Sequence, residues 1–186
     1  MEDRRIKKTQ NAIHAAFAKL LSEKNMENIT VKSLCETANI NKSTFYLHYK
    51  DIYDCADRLR DTIVDDFNKL IEPFSFEDII NRFEIFVENI MSMFDKNKNL
   101  YMPFLKSPSL AFSSCKMKSL MIVKVLEKAD DKDRNSVICR CTVSFVISGI
   151  ISLLEQYEFA EIDHQTVSIL ADKVRNGFNR RQSPLS

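Results

Sequence analysis

Residues 29–50 read ITVKSLCETANINKSTFYLHYK, and the rest of the chain is interpreted outward from them. Thr30, a good N-cap, precedes apolar residues at Val31, Leu34, Cys35 and Ala38, the i, i+3, i+4, i+7 spacing of one helix face. The turn falls at Ala38–Asn41, where Asn39 is the non-glycine type best able to sit at positive φ and let a helix exit sharply. Asn41 can cap a second helix from Lys42, which buries Phe45 and Tyr49 at i, i+4 spacing. Its remaining faces carry Lys42, Ser43, Thr44, Tyr46, His48 and Lys50. One short helix that braces and a second that presents hydroxyls, a phenol and cations is helix-turn-helix grammar, and such groups suit phosphates and base edges in a major groove. The same pattern fits a surface helical hairpin whose polar face is merely solvated.

Composition narrows the setting. A chain of 186 residues buries a sizeable core without disulfides or metal, and two glycines with four prolines favour long helices over a loop-rich β protein. The net charge of +1 conceals an asymmetry. Residues 1–50 hold nine Lys and Arg against five Asp and Glu, a balance of +4, while residues 51–186 hold eighteen against twenty-one, −3. A basic head on a mildly acidic body points to a polyanionic partner for the head alone. The five cysteines (35, 55, 115, 139 and 141) form no CxxC pair and read as reduced cytosolic thiols. No signal peptide precedes the charged start, and the longest uncharged run, Cys141–Leu154, is short and serine-rich for a bilayer span. The expected location is therefore the cytoplasm, with no membrane contact. Three histidines (14, 48 and 164) fall on different elements, and no nucleophile elbow, phosphate loop or metal spacing is present. Neither enzyme activity nor a cofactor nor a metal ion is expected.

Along the chain, periodicity predicts about nine helices. The first runs from Ile6 to Lys24, with Arg4, Arg5, Lys7 and Lys8 at its start, where cations oppose the helix dipole unless a phosphate lies nearby. After the helix-turn-helix, Asp51 opens a connecting helix (51–72) that Glu72-Pro73 ends. Ser75-x-x-Asp78 resembles a capping box and begins a helix to Asp95. Leu100–Leu105 is a short helical piece, and a longer helix spans Ser109–Ala129. The charged turn Asp130–Asp133 leads to the most apolar helix, Arg134–Tyr157; the last runs from an N-cap at Asp163 to Phe178, with Arg175, Arg180 and Arg181 near its end.

With these elements placed, residues 5–60 resemble the TetR family of transcriptional regulators. TVKSLCETANINKSTFYLHYKD is similar to the family's pattern T-V-x-x-I/L, A-G-V-S-K-x-T-F/L-Y-x-H/Y-F/Y-K. The resemblance implies an all-α fold: an N-terminal three-helix, homeodomain-like helix-turn-helix domain (1–50) and a C-terminal helical ligand-binding and dimerisation domain (51–186). It implies that Thr30 and Lys32 meet phosphate, that Lys42, Ser43 and Thr44 enter the major groove, that Tyr46 and His48 reach phosphate or base edges, and that Lys50 holds the backbone. Phe45 and Tyr49 would be core. Two positions depart from the pattern: Asn39 replaces the turn glycine, and Ile52 replaces a lysine that would touch phosphate, which predicts a shallower salt dependence of duplex binding.

By the same resemblance, the region from Phe76 to Ala129 surrounds an effector pocket, with Phe83, Phe86, Met91, Phe94, Tyr101, Phe104, Phe112, Met117 and Met121 as candidate walls for a small, largely apolar molecule. The last two helices would pair with a second copy through Val143, Ile147, Gly149, Ile150, Leu154, Leu170 and Val174. Gly149 is the one mid-helix glycine of the Arg134–Tyr157 helix, a choice that costs about 1 kcal/mol against alanine. The expectation is a homodimer on double-stranded DNA, most simply a repressor released from a palindromic operator by its effector. A co-regulator or adaptor that keeps this fold but works through protein contacts is the alternative.

Overall fold

Caps and turns divide the chain into helices. The computed structural model describes residues 4–157, 162 and 164–179, the last range as backbone alone at 164, 171 and 174–179. The expected cap at Asp163, the Arg175, Arg180 and Arg181 side chains, and Phe178 and Val174 as side chains lie outside what is described. Among the described residues all regular structure is helical: α1 (Arg4–Glu23), α2 (Val31–Ala38), α3 (Lys42–His48), α4 (Ile52–Ile71), α5 (Phe76–Asn81), α6 (Phe83–Lys96), α7 (Lys98–Lys106), α8 (Ala111–Leu126), α9 (Asp131–Asn135), α10 (Val137–Gln156) and α11 (His164–Asn179), with 3-10 turns at Met26–Asn28 and Pro108–Leu110.

Eleven α-helices stand among these residues where about nine are expected, for two local reasons. The helix predicted over 76–95 breaks at Arg82, whose φ of −114° and ψ of 39° are not helical, so α5 and α6 are separate. The charged turn at 130–133 instead winds into α9, because the Asp130 side chain accepts from the Asp133 N–H at 2.7 Å and caps it. The capping box at Ser75 forms: Ser75 Oγ accepts from the Asp78 N–H at 3.0 Å, and Asp78 Oδ2 accepts from the Ser75 N–H at 3.0 Å. The Ser75 hydroxyl also donates to Asp78 Oδ2 at 2.7 Å; that bond first, and the one from the Ser75 N–H second, hold the ionised Asp78 carboxyl below its usual range.

The chain divides into two compact units, residues 1–66 with 97–120, and 67–96 with 121–186. The first carries α1–α3, most of α4, α7 and the start of α8. Within it α1 packs on α2 and α7, and α2 on α3. Its interior includes Ile13, Phe17, Leu34, Phe45, Leu59, Ile63 and Phe104. The Tyr101 hydroxyl donates to Asp66 Oδ2 at 2.6 Å; burial first, and that hydrogen bond second, push the phenol well above its usual range, so it remains a neutral donor. Arg60, buried in α4, is held by the carboxylates of Asp57 and Asp61 beside it.

In the second unit α5 packs on α6, α6 on α11, and α9 on α10. Phe86, Ile90, Phe94, Met121, Val125, Ile147, Ile151 and Leu154 form its core. The uncharged run at 141–154 is part of a longer element than it suggests. α10 has 20 residues and a mean hydropathy of 2.1 in its most apolar window, which is long and apolar enough to cross a membrane by length and composition alone. One face of it is buried inside this unit through Val143, Ile147, Ile150, Ile151 and Leu154.

Candidate nucleic-acid interface

The head is built by caps. Thr30 Oγ1 accepts from the Ser33 N–H and Ser33 Oγ accepts from the Thr30 N–H, each at 3.1 Å, closing a reciprocal box that starts α2. Asn39 ends α2 in the left-handed region, φ 53° and ψ 49°, and is the positive-φ non-glycine residue among those described. Its N–H and that of Ile40 close back on the last carbonyls of α2. Asparagine thus performs the turn that the family pattern gives to glycine. Asn41 Oδ1 then caps α3 by accepting from the Thr44 N–H at 2.7 Å.

That same oxygen also accepts from the hydroxyls of Ser43 and Thr44, each at 2.7 Å. One lone pair of that oxygen serves the Thr44 N–H, so one of the two hydroxyls at a time donates to it, and both hydroxyl oxygens keep lone pairs for an incoming donor. Ser43 and Thr44 thus offer acceptors to the amino groups of adenine or cytosine and one free hydroxyl donor.

α3 is held from below by an aromatic stack. Phe45 is fully buried; its ring lies 5.5 Å from that of Tyr49, and Tyr49 N–H bonds the Phe45 carbonyl at 2.9 Å. The Tyr49 hydroxyl shares a 2.9 Å hydrogen bond with Nε2 of His14, a buried residue of α1. Burial without a compensating anion drops the His14 imidazole to a pKa of about 4, so it is neutral at physiological pH. Burial also raises the Tyr49 phenol and the Cys35 and Cys55 thiols, which makes the two thiols poor nucleophiles.

With that floor in place, α3 turns Lys42, Ser43 and Tyr46 to solvent, with Thr44 and His48 half-covered and Lys50 exposed just beyond the helix. Thr30 and Lys32 are exposed at the start of α2, where Lys32 faces Glu36 at 4.0 Å. All eight candidate DNA-binding residues thus lie on α2, α3 or their flanks, clear of the core. Ile52 is buried, so it contributes packing where a phosphate contact is missing. Sequence reasoning missed Leu47, which is 82% exposed on α3 beside Tyr46 at 58%. Its signal was available: Leu47 lies off the Phe45–Tyr49 stripe and four residues after Ser43.

The nine candidate pocket residues do not gather in one place. Phe83 and Phe86 line a cavity of about 320 Å³ in the second unit. Phe83 and Met91 line another of about 260 Å³ in the same unit. Phe94 and Met121 are buried in that unit's core, and Tyr101, Phe104 and Met117 in the core of the first. Phe112 is 82% exposed. Of the candidate interface residues, Val143, Ile147, Ile150 and Leu154 are covered within their own unit, whereas Gly149 and Leu170 are exposed. The outward face of α10 is instead a groove along Arg140, Cys141, Ser144, Phe145, Ser148, Gly149 and Ser152, with Phe145 67% exposed. No cluster of three or more metal-ligating side chains occurs among the described residues.

Neither a protein-family model nor a curated protein sequence matches the chain. Solved structures do. The dihydroxyacetone kinase operon activator DhaS superimposes with a TM-score of 0.59 at 16% identity, over 93% of this chain and 95% of its own. SCO3833, a member of the TetR transcriptional regulator family from Streptomyces coelicolor, superimposes with a TM-score of 0.52 at 13% identity, over 88% and 87%. The chain has the TetR-regulator fold. The likeness runs nearly end to end in both comparisons, so the TetR fold takes in the divergent α5–α11 region as well as the head whose sequence carries the resemblance.

Proposed function

We propose that this TetR-fold protein is a dimeric, effector-responsive transcription regulator that reads a palindromic operator with α3. The observation that carries the reading is the two-sidedness of α3. Phe45 and Tyr49 anchor it, while Lys42, Ser43, Tyr46 and Leu47 stand open to solvent on a basic head. Residues 1–50 are the DNA-binding segment, and residues 51–186 regulate and dimerise. Two copies would place their α3 helices about 34 Å apart, in successive major grooves. The outward groove of α10, centred on Phe145 and Gly149, is the surface offered for pairing. The apolar cavities of the second unit would receive the effector, which shifts operator affinity only by the difference in its own affinity for the two states.

Repression with release by the effector is the simplest form of this reading. Activation is a second form, favoured by the similarity to DhaS, an operon activator. The test is a duplex selected from a random library, followed by Lys42→Ala and Tyr46→Ala. Each variant should lose about 1–3 kcal/mol of specific affinity while the oligomeric state is unchanged. Wild-type affinity in both would show that α3 is not the reading helix. If the wild-type chain selects no duplex but retains a protein partner, the adaptor reading takes its place.

A further inference from the structure

The two cavities of the second unit share a wall. Phe83 on α6 and Val146 on α10 line both the 320 Å³ and the 260 Å³ spaces, so one layer of side chains separates them. Phe83 is only half-buried, so its ring is the least confined part of that wall. Each space alone lies near or below the ~300–1,000 Å³ range of small-molecule sites; joined, they fall well inside it.

Their chemistry is unequal. The smaller space is walled by hydrocarbon from residues such as Val87, Met91, Leu153 and Val167. The larger one has polar residues in its lining, Asp133 and Ser136 where α9 meets α10 and Thr142 further along α10. No Lys, Arg or His lines either space among the described residues. Asp131 is engaged by Arg134 at 3.7 Å, whereas no cation sits against the Asp133 carboxylate among the described residues. Its field reaches the wall: after burial, Asp133 is the largest cause of the raised pKa of the Cys139 thiol, which also lines the space. An anionic head would be desolvated here beside a carboxylate with no counter-charge, which is unfavourable. A cationic head would gain from the same carboxylate.

We propose that the two cavities are the halves of one site for an elongated cationic amphiphile, with its ammonium head at Asp133 and its alkyl tail passing between Phe83 and Val146 into the second space. The inference rests on the reading of the second unit as the effector domain and names the effector's chemical class. The probes are decyltrimethylammonium, 1-decanol and decanoate, titrated into the full chain by calorimetry below their micelle concentrations. Decyltrimethylammonium should bind about ten-fold tighter than decanoate, the scale of an exposed carboxylate's preference between opposite charges. Asp133→Asn should erase that preference and leave decanol binding unchanged. Met91→Trp, which fills the second space, should weaken decyltrimethylammonium and spare butyltrimethylammonium, with thermal melting used to verify the fold. Equal binding of decanoate, an unchanged preference in Asp133→Asn, or equal loss of both chain lengths in Met91→Trp would overturn the proposal, as would no binding by any probe. If decyltrimethylammonium binds as described but leaves affinity for the selected duplex unaltered, the site stands and the effector reading of the second unit fails.

Discussion

α3 and α10 are assembled from opposite kinds of residue. α3 has seven residues; it buries Phe45 completely, and nearly everything else on it is polar or charged. α10 has twenty, and only Arg140 and Glu155 are charged. An amphipathic helix has one way to sit on a core, so its free face is specified as strictly as its buried one. A helix with few charges and only small polar residues on its free face divides its faces weakly, and its orientation is set by what packs on it. In α10 the inward side became Val143, Ile147, Ile150 and Leu154, and the outward side Cys141, Phe145 and Gly149. The head therefore carries a fixed polar surface, and the second unit keeps exposed apolar surface and cavities.

The contrast breaks most visibly at two phenylalanines. Phe45→Ala should cost about 3–5 kcal/mol, because the site under α3 is fully enclosed and cannot collapse without moving the helix. Phe145→Ala, on the open side of α10, should leave protomer stability within about 0.5 kcal/mol. Urea denaturation of both variants at low protein concentration measures the difference. Comparable losses would mean that α10 is not open where the structure leaves it open. Analytical ultracentrifugation of Phe145→Ala then asks whether that face is the one on which two copies meet.

The same contrast explains what could be read in advance. Thr30, Asn39 and Asn41 each have one structural use that their chemistry announces, and all three hold it: a capping box, a left-handed turn and an N-cap. The stripe of Phe45 and Tyr49 gave the buried face of α3, and its complement gave the exposed residues. Leu47 belongs to that complement too, but a lone leucine on a short helix reads as core, and the residue type outweighed its position. In α10 the apolar positions could not be divided into inner and outer by periodicity, so four of the residues proposed for pairing are covered within their own unit. The cavity walls were illegible for a related reason. Phe83 and Phe94 are the same residue type on the same helix, and only the placement of neighbouring elements leaves space beside one and none beside the other. The break at Arg82 carried no proline or glycine to announce it.

A second prediction concerns the polar contact between His14 and Tyr49 in the interior of the head. His14 titrates near 4 when folded and near 6.5 when unfolded, so between those values the unfolded chain binds more protons. Stability should therefore be full above pH 6.5 and fall as the pH drops toward 4, by about 3 kcal/mol if the whole shift is expressed. Tyr49→Phe, at neutral pH, leaves the imidazole without its 2.9 Å partner and should cost about 1–3 kcal/mol. The double variant His14→Leu with Tyr49→Phe should recover much of that loss and flatten the acid slope. Denaturation curves from pH 7 to 4 check both. A slope that persists in the double variant would assign the acid sensitivity to other groups, and the pair would then be packing alone.

The smallest expected effect is the most diagnostic for α10. Gly149 lies mid-helix and exposed, and a Cβ built there meets nothing within 4 Å. No contact inside the protomer requires a glycine there, although the position also borders the 260 Å³ space. Gly149→Ala should stabilise the isolated protomer by about 1 kcal/mol through helix propensity alone. If a second copy's helix packs closely against this groove, the added methyl should at the same time weaken self-association, because two backbones held near contact have no room for it. Stability measured at low concentration and dimerisation measured at high concentration would then move in opposite directions. If both rise, the glycine is incidental and the groove around Phe145 is not a close helix–helix contact. If protomer stability rises while association falls, the glycine is explained by a contact that only the assembled molecule contains.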